Sequence, residues 1–125
     1  MQRSLLKSKL HRVRVTRTAV DYVGSIGIDL DLMKAANLLP YEKVVVADIN
    51  NGARFETYVV SEAAGSGAIS VLGAAARLVQ PGDLVIILAF GLYDDSELAA
   101  HQPTIVFVDD KNRMVPPTTA CKTSV

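Results

Sequence analysis

Tryptophan is absent, and aromatic residues make up only 6% of the chain. Its core must be built from aliphatic side chains, and half of all residues are hydrophobic. A single cysteine, Cys121, excludes an intrachain disulfide and fits a reducing compartment. Neither charge is in excess: 13 basic residues stand against 13 acidic ones. That balance argues against a general nucleic-acid or membrane-surface binder, which needs a positive surplus. It also does little to oppose self-association. Long hydrophobic runs are missing too. The longest, Leu84 to Tyr93, has ten residues, too few to cross a bilayer as a helix. The N-terminal stretch MQRSLLKSKLHRVRV mixes charge into every short apolar run, unlike a signal peptide. A soluble, cytoplasmic protein is the expectation. Two histidines and one cysteine, far apart, make no zinc signature, so no metal is expected. Neither a Walker motif nor GxGxxG is present.

What is present is β-branched. At 125 residues, one domain spanning 1–125 is expected. HRVRVT at His11 to Thr16 alternates Val13 and Val15 with Arg12 and Arg14, as in a strand with one wet face. KVVVADI at Lys43 to Ile49 predicts a second strand. Asn51-Gly52 is a strong hairpin signal, and Phe55 to Val60 returns from it. Ile69 to Leu72 predicts a short strand. After the turn Pro81-Gly82-Asp83, LVIILAF at Leu84 to Phe90 reads as a strand buried on both faces. Thr104 to Asp109 is the last. Helices are few: Asp29 to Leu38, capped by Asp29 and stopped by Pro40, and a shorter one from Asp94 to His101. Ala74 to Ala76 allows one further turn. From Lys111 on, two prolines and a threonine run predict a mobile tail, 111–125. Many short strands in one small domain predict a closed barrel, which removes exposed edges.

Four segments could carry chemistry. In YVGSIGID, Tyr22 to Asp29, Gly24 precedes Ser25. An ordinary turn accounts for this pair. The sharper reading is a strained Gly24-Ser25 bond whose carbonyl the serine hydroxyl attacks. In NGARFETYVV, alternation puts Arg54, Glu56 and Tyr58 on one face, and Phe55, Thr57 and Val59 on the other. Arg54 could grip a carboxylate with its two-pronged fork, or simply be a solvated charge. Tyr58 could donate a proton, or be half core and half surface. Thr57 could offer its hydroxyl to an oxyanion. Because Thr57 and Tyr58 point to opposite faces, one shared site needs a barrel edge or a bulge. In SKLHRVRVT, Lys9 could hold a second carboxylate and His11 could lend hydrogen-bonding support; alone, both read as surface residues. In VLGAAARLVQPGDLVII, the small run Gly73 to Ala76 lets a ligand, or simply a neighbouring element, approach the backbone closely.

Taken together, KLHRVRVT (Lys9 to Thr16), YVGS (Tyr22 to Ser25), NGARFETY (Asn51 to Tyr58) and GAAA with PGDLVII (Gly73 to Ile87) resemble the aspartate 1-decarboxylase family. The resemblance runs from about residue 1 to 110, and the residue types are most similar to actinobacterial members. It implies a mainly β fold, a six-stranded double-psi β-barrel with small flanking helices, in a homotetramer. It implies autocatalytic cleavage between Gly24 and Ser25. The Ser25 hydroxyl attacks the Gly24 carbonyl, the acyl group moves from nitrogen to oxygen, and elimination and hydrolysis leave a pyruvoyl group. The products are a β chain, 1–24, and an α chain, 25–125. The cofactor is then the pyruvoyl derived from Ser25, with none supplied from outside; its ketone forms a Schiff base with the substrate amine and acts as the electron sink.

The same resemblance assigns Thr57 to processing and substrate contact, and Tyr58 to protonation of the carbanion. Lys9 and Arg54 are assigned to substrate carboxylates, with His11 beside them, and the backbone of Gly73, Ala74 and Ala75 to substrate binding. L-aspartate is the implied substrate and β-alanine, a precursor of pantothenate and coenzyme A, the product. No nucleic acid or membrane partner is implied, and the need for a maturation partner stays open. The chain departs from the family at Leu72, where asparagine is typical, and at Arg77, where histidine is common. These departures leave two alternatives standing: a paralogue acting on a related amino acid, and a barrel that no longer processes and serves as a binding or assembly protein.

Overall fold

The computed structural model describes residues 1–117. Cys121 and the rest of the expected tail, 118–125, lie outside the described residues. The strands are β1 (Gln2–Arg14), β2 (Arg17–Ala19), β3 (Ser25–Asp29), β4 (Lys43–Asp48), β5 (Arg54–Glu62), β6 (Ile69–Leu72), β7 (Leu84–Asp94), β8 (Thr104–Val108) and β9 (Met114–Val115). One α-helix, α1 (Leu30–Ala35), and two 3-10 turns, Gly73–Leu78 and Asp95–Ala100, complete the fold. No helix among the described residues is long and apolar enough to cross a membrane.

β2 continues β1 after two residues, and the two pair with different neighbours. β1 runs antiparallel to β7, while β2 runs parallel to β6. The sheet order β2-β6-β3-β5-β4-β7-β1 therefore closes on itself through Val15 and Thr16. Counted as one bent strand, β1 and β2 join β6, β3, β5, β4 and β7 in a ring of six. Its parallel pairs, β3 with β5 and β2 with β6, join strands far apart in sequence, so the chain crosses over the barrel between them. This is the expected six-stranded double-psi barrel. β8 and β9 lie outside the ring, with β8 parallel to the middle of β1.

Alternation fills the interior. Ile26, Ile28, Val44, Val46, Val59, Ile69, Val71, Val85 and Ile87 are all buried and point inward. In β1, Leu10 and Val13 are both wholly buried although three residues apart. A bulge between them restores the phase: Arg12 takes φ 60, and the extra residue stays outside.

Several expectations need correction. β1 begins at Gln2 rather than near His11, because long pairing with β7 extends it. Ser25–Asp29, assigned to no strand from the sequence, is a fully buried strand that follows the bend at Gly24. α1 ends at Ala35, and Asn37 follows with φ 55, a conformation that stops a helix. The Asp94 to His101 segment forms only a 3-10 turn. β7 is not buried on both faces: Val85, Ile87 and Ala89 face the core, whereas Ile86 and Leu88 are half-buried and Phe90 and Leu92 exposed. The expected tail starts too early at Lys111. Asn112 is buried, donating to Arg14 O and Gly67 O at 2.8 Å each and accepting from Arg14 N at 2.8 Å. Met114–Val115 then pairs with β8.

Candidate functional site

Ser25 opens β3, with β6 on one side and β5 on the other. Ile26 and Ile28 point into the core, so Ser25 and Gly27 point to the outer face of the sheet. Ser25 pairs directly with Leu72, and side chains of a direct pair share a face. On the other side Ile26 pairs with Val59, so Tyr58 lies level with Ser25 and Thr57 level with Gly24. Tyr58 shares the outward face with Ser25. Thr57 has the inward parity of Val59. The opposed faces of Thr57 and Tyr58 are thus real, and the N-terminal end of β3 reconciles them. Gly24 and Ser25 are successive residues, and each lies level with one of the two.

Ser25 is only 4% exposed, although the preceding segment is open: Tyr22 and Val23 are exposed, and the Arg17 guanidinium sits 5.6 Å from the Tyr22 ring centre. Leu72 is 5% exposed, so an apolar wall stands beside the serine. Gly73 has φ +80, where side chains are disfavoured. A Cβ there would stand 2.5 Å from Gly24 Cα, 2.9 Å from Gly24 N and 3.2 Å from the Tyr22 carbonyl oxygen. Gly73 thus presses its backbone onto Gly24. The strain expected at Gly24 is not a left-handed φ, since Gly24 has none; the positive φ belongs to Gly73. Beyond it, Ala74 is exposed and Ala75 half-buried on the 3-10 turn.

The remaining residues singled out in the sequence lie elsewhere on the barrel. Arg54 and Tyr58 both point outward from β5, but four residues of strand separate them by about 13 Å. Lys9 pairs with Leu88, Leu88 with Val45, and Val45 with Glu56. Lys9 therefore lies on the same outer face as Glu56 and Arg54, across β4 and β7. His11 sits in the bulge opposite Ile86, one row along. No strand pair or hydrogen bond among the described residues joins Lys9, His11 or Arg54 to Ser25. One chain gathers Gly24, Ser25, Thr57, Tyr58, Leu72 and Gly73, and holds Lys9, His11 and Arg54 apart.

His11 gains no hydrogen-bond partner at Nδ1, which is buried, and its ring meets Phe107 edge-on at 5.5 Å. Burial, and then the positive charges of Lys9 and Arg12, hold its pKa below the ordinary histidine value. A cavity of about 490 Å³ lies here, lined by His11, Arg12, Arg14, Phe107, Asp109 and Val115 among others. Ser25 is not among the residues that line it. A smaller cleft of about 240 Å³ lies on the outer face between Lys43, Val45, Glu56 and Phe90. Among the described residues no three His, Cys, Asp or Glu side chains are placed to share a metal.

Two features escaped the sequence reading. Tyr22 was read only as part of a motif, yet its carbonyl faces Gly73. Asp48 was read as the end of a strand, yet its carboxylate is buried and organises the following turn. The signal for Asp48 was there, as an aspartate two and three residues before a pair of asparagines.

Residues 1–115 match the family model described as aspartate decarboxylase. The chain is 56% identical over 115 residues to the aspartate 1-decarboxylase of Heliobacterium modesticaldum, covering 92% of this chain and 87% of that one. It is 56% identical over 114 residues to that of Moorella thermoacetica, covering 91% and 89%. Among solved structures, the rationally designed protein mkDPBB_sym_86 superposes with a TM-score of 0.44 at 16% identity, over 68% of this chain and 92% of its own. With a match that spans residues 1–115, and more than half of its residues shared with named members, the chain belongs to the aspartate decarboxylase family.

Proposed function

We propose that this chain decarboxylates L-aspartate to β-alanine and carbon dioxide, for pantothenate and coenzyme A biosynthesis, after cutting itself between Gly24 and Ser25. One observation carries the reading: Ser25 lies buried between Tyr58 and Leu72, while Gly73 presses on Gly24 at the bond to be cut. The tight backbone there fits a small group built in place from Ser25. When formed, that pyruvoyl group supplies the electron sink which decarboxylation requires. The chain's own residues do the rest. Thr57, level with Gly24, lends a hydroxyl to the charge that develops on the Gly24 carbonyl. Tyr58, level with Ser25, returns a proton to the substrate carbon. Ala74 and Ala75 offer backbone contacts beside Gly73.

Arg54 and Lys9 bind substrate carboxylates, with His11 in support, and they reach a Ser25 only from a second copy. The outer face of β5, β4, β7 and β1 supports this. Its floor is apolar, with Val45, Ile86 and Leu88 half-buried, and Phe90 45% and Leu92 66% exposed. Covering such a face favours association into the homotetramer. The enzyme works in the cytoplasm, without nucleic acid or membrane as partner. Mass spectrometry of the purified protein tests the reading. Fragments of residues 1–24 and 25–125 are expected, the second with an N-terminus lacking an amine; Ser25→Ala should stay whole. An intact parent chain after prolonged warming would leave a binding or assembly barrel instead.

A second substrate is favoured by Leu72 alone. Its apolar side chain, beside Ser25, leaves no amide to meet a polar group of aspartate. Carbon dioxide release measured across a panel of amino acids separates aspartate from a related acid.

A further inference from the structure

Just before β4, Tyr41 N donates to Val59 O at 2.7 Å, and Val59 N donates to Glu42 O at 3.0 Å. Two residues, Tyr41 and Glu42, therefore stand opposite one residue of β5. The regular ladder starts only afterwards, with Lys43 opposite Tyr58. This is a bulge whose first residue occupies the left-handed region, a place that glycine fills without cost. Here that residue is a tyrosine, at φ 71. A bulky side chain is disfavoured in that conformation. The two bonds that make the bulge come from main chain alone and ask for no side chain at all.

The backbone that carries Tyr41 is held from several sides. Lys7 on β1 donates to Asn37 O at 2.7 Å and forms an ion pair with Glu42 Oε2. Glu42 Oε1 accepts from Leu39 N at 3.0 Å, and Glu42 N donates to Leu39 O at 3.1 Å. The loop is thus tied to β1 and β5 at once, and the direction of the Tyr41 side chain is set by the main chain.

That direction leads to Tyr58. The two rings lie with centres 6.3 Å apart and planes tilted by 40°, within the separation at which aromatic pairs attract. Tyr41 is 76% exposed, whereas Tyr58 is half-buried, so Tyr41 adds little to the core. Lys43, the direct partner of Tyr58 across the ladder, turns its ammonium to Glu56 at 3.2 Å instead. Bulges re-aim side chains beside functional sites, and a residue kept in a disfavoured conformation points to a task that stability does not explain.

We propose that Tyr41 is a positioning residue for the decarboxylation, laying its ring on Tyr58 and so holding the phenol level with Ser25, where the proton is delivered. The proposal rests on the reading of Tyr58 as proton donor. Tyr41 touches neither substrate nor Ser25; it acts through the Tyr58 ring. Proton delivery depends on the distance and angle of the donor, so a loosened ring lowers turnover before it lowers affinity.

The test is steady-state kinetics on fully cleaved protein, with Tyr41→Gly, Tyr41→Phe, Tyr58→Phe and the double variant Tyr41→Gly with Tyr58→Phe. Glycine suits the bulge, so Tyr41→Gly should keep its fold; Tyr41→Asn, which tolerates the same φ, takes its place if it folds or cleaves poorly. Tyr41→Gly should lower kcat about three- to tenfold with KM little changed. Tyr41→Phe keeps the ring contact and should keep most of the turnover. In the double variant the glycine should cost nothing beyond Tyr58→Phe, because no hydroxyl is left to place. Parent turnover in Tyr41→Gly, with Tyr58→Phe slow, would overturn the positioning role and leave the proton donor standing. So would a Tyr41→Phe as slow as the glycine variant, or losses that add in the double variant. Native mass is measured alongside; turnover lost together with assembly would make Tyr41 a residue of the subunit interface and overturn the proposal. If Tyr58→Phe turns over at the parent rate, the proton-donor reading itself fails.

Discussion

The corner around Ser25 and the outer face that carries Arg54 and Lys9 are built on different principles. At the corner, backbone does the work. Gly73 touches Gly24, Leu72 pairs with Ser25, and almost nothing there can shift without moving main chain. On the outer face, long charged side chains flank an apolar floor formed by β4 and β7, and none of them pairs with the serine. The difference teaches that, under the proposed function, making the reactive group falls to tightly packed backbone, whereas reading the substrate falls to reachable side chains. Changes at the corner should act on cleavage or turnover; changes on the face should act on affinity.

The sharpest way to break this contrast is at Gly73. Gly73→Ala adds a Cβ 2.5 Å from Gly24 Cα at a φ of +80, and the neighbour is backbone rather than a flexible side-chain end. Displacing the scissile bond by even a fraction of an ångström should slow cleavage about 10²-fold. Time-resolved mass spectrometry checks this. Cleavage at the parent rate would mean that the close approach plays no part in processing.

Next in size is Tyr58→Phe, which removes only the hydroxyl. A positioned proton donor contributes about 10²-fold or more, so kcat should drop by that factor with KM little changed. Steady-state kinetics on fully processed protein decide it. If turnover stays at the parent level, a water or another group delivers the proton.

Arg54→Lys moves to the outer face. A point charge does not replace a two-pronged fork, and KM should rise about tenfold while cleavage proceeds normally. A variant that fails to cleave would erase the separation between the two regions.

Leu72→Asn has the smallest expected effect, because gain and loss oppose each other. An amide beside Ser25 should speed cleavage or raise aspartate turnover a few-fold. A buried amide without partners costs about 1–3 kcal/mol, which a lower melting temperature would report. If rates are unchanged or worse while stability holds, leucine is no defect, and a substrate other than aspartate gains weight.

Much of this was legible in the residues. Val13 and Val15 announced one buried face of β1, and Asn51-Gly52 placed the β4–β5 turn where it lies, with Gly52 at φ 76. Ile69–Leu72 has the boundaries that its β-branched run predicts. Asp29 reads as a helix cap and is one; it also accepts from Gly65 and Gly67, across 36 and 38 residues, which no local pattern foretells. Burial alone would raise its pKa, but the amides of Gly67, Gly65 and Asp31 prevail and hold it low. Ser25–Asp29 was not legible as a strand, because a serine and glycines hide one whose burial comes from its neighbours on both sides.

The sequence by itself determined strands β4 to β8 and the end of β1, which face of most of them is apolar, and which glycines break the chain. Those are local properties, set by a period of two and by the backbone freedom of single residues. Only the tertiary structure decided that β3 lies between β5 and β6, so that Ser25 meets Tyr58 and Leu72. It alone set Gly73 against Gly24 and Lys9 on the face of Arg54. These neighbours are 33 to 49 residues apart, and pairing at that range follows from closing the barrel around a shared core.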